Sequence, residues 1–117
     1  MHDELRLSIY KIGPNFIMKM HNHPDMFVAT YILRGTMHAK TLTPTENELY
    51  DMKSRELSEK DLIAIDSEEE NLHEFVGGPD GCTFIDILFP DYDETSRIFK
   101  MYDIVEEENG LYRIIET

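Results

Sequence analysis

The sequence predicts an all-β fold, and three observations carry that reading. Apolar residues come in short alternating runs, turn residues separate those runs, and no stretch repeats its apolar positions at the helical period. Roughly nine short strands result, which suits a sandwich or a double-sheet jelly roll. A chain of 117 residues, 41% apolar with six tyrosines and six phenylalanines, is expected to form one domain over 1–117.

The elements follow in order. Leu5 to Ile12 alternates Leu-Arg-Leu-Ser-Ile-Tyr-Lys-Ile and stops at the turn Gly13-Pro14-Asn15. Phe16 to His23 is the next strand, ended by Pro24 and Asp25. Met26 to Leu33 follows, and Arg34-Gly35 reads as a tight turn into Thr36 to Leu42. Thr43 to Lys60 is polar, and its Glu48 to Leu57 part reads as an edge strand or a short helix. Asp61 to Asp66 holds Leu-Ile-Ala-Ile, a short buried strand. Asn71 to Val76 is a strand, Gly77-Gly78-Pro79-Asp80-Gly81 a loop, and Cys82 to Phe89 the most apolar strand of the chain. Arg97 to Val105 and Leu111 to Ile115 close the fold around an Asn109-Gly110 hairpin turn.

Composition narrows the function. Eleven basic against 24 acidic residues give a net charge of −13, which repels nucleic acid and anionic lipid. No apolar run approaches the roughly 18 residues that span a bilayer. Met1-His2-Asp3-Glu4 lacks the features of a signal peptide, and the single Cys82, expected as a buried thiol, cannot form an internal disulfide. A cytoplasmic protein is the expectation. Acid clusters at Glu46 to Asp61, Asp66 to Glu70 and Glu106 to Glu108 read as solvated loops, or as a docking surface for a basic protein partner.

Chemistry concentrates in the histidines. In a strand alternate side chains share a face, so His21 and His23 project together and can act as paired metal ligands. His73, on a separate strand and sharing a face with Phe75, would complete a facial set of three. Three imidazoles without a carboxylate suit iron or another borderline first-row metal. His38 alternates with Thr36 and Lys40 and is expected on the face turned away from that site, and Met18 and Met20 lie beside it in sequence.

Four motifs occur in a telling order. They are Met20-His21-Asn22-His23-Pro24-Asp25-Met26, Leu33-Arg34-Gly35-Thr36-Met37-His38-Ala39-Lys40, Glu70-Asn71-Leu72-His73-Glu74-Phe75, and Phe84-Ile85-Asp86-Ile87-Leu88-Phe89-Pro90-Asp91-Tyr92. From about Leu7 to Tyr102 the chain resembles the cysteamine dioxygenase and plant cysteine oxidase family, thiol dioxygenases of the cupin superfamily. The resemblance implies a cupin-type small jelly-roll barrel that starts almost at its first strand, truncated at the N-terminus relative to the family. It implies Fe(II) held by His21, His23 and His73. It also implies that an aminothiol or the N-terminal cysteine of a peptide reacts with O2 to give a sulfinate. Asp86 would face the substrate amine, with Tyr92 near the same cavity. The usual cupin carboxylate ligand would fall near the apolar Val28. Phe99 and Met101 take the positions that in some relatives supply a covalently joined cysteine and tyrosine, so that cross-link cannot form. The second function class is a family-derived, non-catalytic binding or assembly subunit of a larger complex.

Overall fold

The computed structural model describes residues 5–22, 26–65, 72–89, 100–106 and 110–117. Among them, eight strands join in one continuous sheet. In chain order these are β1 (Arg6–Ile12), β2 (Ile17–Asn22), β3 (Phe27–Pro44), β4 (Tyr50–Leu57), β5 (Leu62–Ile65), β6 (Leu72–Phe89), β7 (Tyr102–Glu106) and β8 (Leu111–Glu116). The 3₁₀ turn Glu46–Glu48 is the one helical segment among the described residues, and no helix is long and apolar enough to cross a membrane.

Two strands of 18 residues, β3 and β6, set the architecture by pairing antiparallel along their length. Each bends midway and so contributes to two layers. In the first layer β1 pairs with the second half of β6, which pairs with the first half of β3, which pairs with β5. The second layer runs β2, first half of β6, second half of β3, β4, β8, β7. A bridge between His21 and Met101, and an Asn22 N–H donated to the Lys100 carbonyl at 3.1 Å, return the chain to β2 and close this layer into a ring.

The bends correct two expectations. Arg34-Gly35 is not a tight turn, and Gly77 to Gly81 is not a loop, because both lie inside continuous strands. Gly35 and Gly81 adopt positive φ of 82° and 76°. They pass so closely that a Cβ on Gly35 would collide with the Gly81 carbonyl oxygen. The glycines thus fold the sheet over without breaking its ladder. The polar stretch left open in sequence resolves into the 3₁₀ turn and β4.

Three apolar clusters follow from this folding. At the bent end Ile12, Ile32, Met37, Phe75 and Phe84 fill the space between the layers, with the Phe75 and Phe84 rings edge-on at 5.5 Å. Met26, Val28, Ile65 and Leu88 continue along the first layer. Met20, Leu42 and Leu72 form the third on the opposite face of the second layer, under Tyr102, Ile104 and Ile114 of the β7–β8 hairpin. Met20 therefore faces away from the histidines rather than lining their site.

Candidate metal centre

β2 and β6 bring His21 and His73 opposite one another. Simple alternation does not do this. Met18 pairs with Phe75 and His21 with His73, three steps against two, so a β-bulge at Lys19 and Met20 inserts an extra residue. The bulge turns both Met18 and His21 toward the interior while Met20 points the other way. It also presents the Lys19 carbonyl, which accepts a hydrogen bond from His21 Nδ1 at 2.7 Å. With the proton held on Nδ1, His21 Nε2 keeps its lone pair for the interior. Burial pushes the His21 pKa down, more than the Lys19 carbonyl raises it, so the ring is neutral at pH 7.

The two Nε2 atoms lie 3.1 Å apart, with ring centroids 4.6 Å apart at 72°. His73 rests against Phe75 at 4.3 Å and is 1% exposed. A shared proton holds neutral rings at such a distance. So does an ion, since two nitrogens each about 2.1 Å from one metal and at right angles lie about 3 Å apart. An all-nitrogen pair, with His21 anchored from behind by a carbonyl, fits a first-row metal. His23, the expected third ligand, lies outside the described residues, as does Tyr92. Among the described residues no group of three candidate ligands assembles.

Asp86 occupies the facing wall. Phe75 on one layer meets Phe84 on the other. His73 lies two residues before Phe75 and Asp86 two residues after Phe84, so the pleat sets both one step beyond the aromatic pair, on opposite walls. Asp86 is 5% exposed and the only carboxylate among the buried described residues. Burial raises its pKa to about 6, against the Thr30 hydroxyl, which donates to Oδ1 at 2.6 Å and lowers it. On its other flank β1 sets Ser8 opposite Asp86, and Tyr10 stacks on Phe84 at 5.4 Å.

Thr30, bonded to Asp86, is the candidate-site residue the sequence reading missed. Its signal was a hydroxyl on the same face as Val28 and Ile32, at a position where an interior strand carries apolar side chains. His38 does lie off the site, where Nδ1 pairs with Glu56 Oε1 at 2.6 Å. Cys82 is buried, and burial pushes its thiol pKa up. Within the described acid cluster, Glu56 is engaged by His38 and Asp61 accepts the Ser58 N–H at 2.8 Å.

The sequence profile of the PCO_ADO family matches residues 1–111. The chain belongs to the PCO_ADO family. Among curated relatives, this PCO_ADO chain is 26% identical over 103 residues to a probable 2-aminoethanethiol dioxygenase of Dictyostelium discoideum, covering 79% of this chain and 47% of that protein. It is 28% identical over 101 residues to plant cysteine oxidase 1 of Arabidopsis thaliana, covering 77% and 34%. The chain thus spans less than half the length of these two relatives. A solved cupin superfamily protein from Desulfitobacterium hafniense superposes with a TM-score of 0.59 at 13% identity, over 78% of this PCO_ADO chain and 72% of that one. The expected cupin fold is the observed one.

Proposed function

We propose that the protein is a non-haem iron thiol dioxygenase, converting an aminothiol or the N-terminal cysteine of a peptide to its sulfinate. One observation carries this within the family fold: two buried imidazoles have their Nε2 atoms 3.1 Å apart on one layer, and the one buried carboxylate among the described residues, Asp86, lies on the other. His21 and His73, with His23 as the third ligand, would hold Fe(II). When bound, the ion supplies the positive charge that favours a thiolate and the redox chemistry that activates O2.

The chain's own residues bind and orient. Asp86, with a pKa of about 6, is mostly ionised at pH 7 and accepts the substrate ammonium, which in an aminothiol sits two carbons from sulfur. Thr30 holds Oδ1 and leaves Oδ2 for that contact. Phe75 and Phe84 floor the space and exclude water, so the ion pair forms where charges interact strongly. Tyr92 is proposed as a second contact beside the same cavity. The reaction balances without further reductant, since R–SH plus O2 gives R–SO2H.

Iron-loaded, reduced protein is to be incubated with cysteamine, cysteine and Cys-initiated peptides under labelled O2. The expected product gains two oxygen atoms, both labelled. His73→Ala should lose the iron while keeping a β-rich circular dichroism spectrum, and stoichiometric iron in that variant removes His73 from the site. Absence of product with every thiol makes the non-catalytic assembly subunit the better reading.

A further inference from the structure

We infer that the outer face of the layer formed by β1, β6, β3 and β5 is a homodimer interface, covered in solution by the same face of a second copy. The strand register draws two unbroken apolar rows across all four strands. Leu7, Ile87, Ala29 and Ala64 form one, and Ile9, Ile85, Tyr31 and Leu62 the next. Leu7, Ile9 and Leu62 are 62%, 70% and 61% exposed. Phe27 and Phe89 pair beyond the first row and are also exposed.

This pattern inverts the ordinary one. A sheet with one wet face turns its polar residues outward, whereas strands covered on both faces read as nearly continuous apolar runs. Here Phe27 to Leu33 and Phe84 to Phe89 each contain one strongly polar residue, Thr30 and Asp86, and both point inward to the site. The outward positions of these runs keep only apolar side chains and the Tyr31 ring.

Two arguments favour a second copy as the occupant. The chain carries 24 carboxylates and a charge of −13, yet no position in either row is acidic. Two copies can therefore meet here without burying like charges, although the rest of their surfaces repel. The face also presents on the order of 600 Å² of apolar surface, at the upper end of the largest patch a typical monomer exposes and near the ~800 Å² per partner of a standard interface. Lys11, Thr83 and Arg34, the register row at the bent end, supply a polar rim. A self-complementary patch about a two-fold axis closes at the dimer.

Sedimentation of the full chain over roughly 1 to 100 μM tests this, the range in which an interface of this size is populated. The expected species has twice the 13.7 kDa of one chain. Ile9→Glu and Leu62→Lys alter side chains that already face solvent, so their far-UV spectra should match wild type. Each should weaken the dimer by about 100-fold or more. A wild-type chain that is monomeric throughout the range overturns the second copy as occupant and leaves the face to a different protein. A dimer that survives both substitutions overturns it equally, because it uses another surface.

Discussion

Asp86 shows how the proposed use of one residue and its energetic cost separate. Its carboxyl titrates near 6 in the folded chain against 3.8 in the unfolded one. Between those values the folded state binds more protons, so stability falls as pH rises from about 4 to about 6. Below both values the group contributes nothing, and above both it costs about 3 kcal/mol. Asp86→Asn should therefore stabilise the metal-free protein at neutral pH by on the order of 2 kcal/mol and leave it unchanged below about pH 4. Denaturant titrations at the two pH values measure the difference. The same variant should lose roughly 30- to 1000-fold in kcat/KM, about 2 to 4 kcal/mol of oriented substrate binding, while keeping its iron. Full activity in Asp86→Asn would take the carboxylate out of the substrate site. Thr30→Val removes the hydroxyl that holds the Asp86 pKa down, so the acid limb of kcat/KM against pH should move to higher pH. An unmoved limb would assign it to a different group.

At the scale of elements the bends decide the layout, and two glycines separate their contributions. Gly35 combines a positive φ with the Gly81 carbonyl in the path of any Cβ, so Gly35→Ala should cost roughly 3 kcal/mol. Gly110 has a φ of 73° but open space around it, so Gly110→Ala should cost about 1 kcal/mol. Thermal melts of the two variants compare them directly. These elements also mark what the sequence could say. Strand alternation is local, so β1, β2, β5 and the β7–β8 pairing were legible from their own residues. Gly77-Gly78-Pro79-Asp80-Gly81 was not, because glycine permits a loop and a close crossing alike. Only the distant neighbours Gly13 and Thr36, packed against Gly77 and Gly78, make it a crossing. The bulge at Lys19 and Met20 has no compositional mark at all. Motif order therefore singled out His21, His73 and Asp86 as candidates, while the bulge that turns His21 inward and the hydroxyl bonded to Asp86 emerged from tertiary pairing.

For the whole molecule, the ring formed by the second layer matters as much as the interior it backs. Tyr102, Ile104 and Ile114 press on Met20, Leu42 and Leu72, directly behind the strands that carry the two histidines. Ile114→Asp touches nothing on the histidine face. It should still cost roughly 2 to 3 kcal/mol of stability and weaken iron binding about tenfold, because β2 and β6 lose their backing. Chelator competition reads the second effect. The acid limb assigned to Asp86 should not shift, since that residue sits on the other layer.

The closing of that ring also imposes an order in time. His21 meets a histidine 52 positions later, and Asn22 accepts the N–H of a lysine 78 positions later. Met101, the residue bridged to His21, in turn receives the N–H of Thr117 at 3.0 Å. Synthesis at roughly 5 to 20 residues per second leaves β2 waiting for several seconds before both its flanks exist. Throughout that interval the imidazoles of a half-made chain favour copper and zinc over ferrous iron. For the proposed iron to fill this site, it would therefore matter what the surroundings offer, and whether iron arrives before or after the last strand.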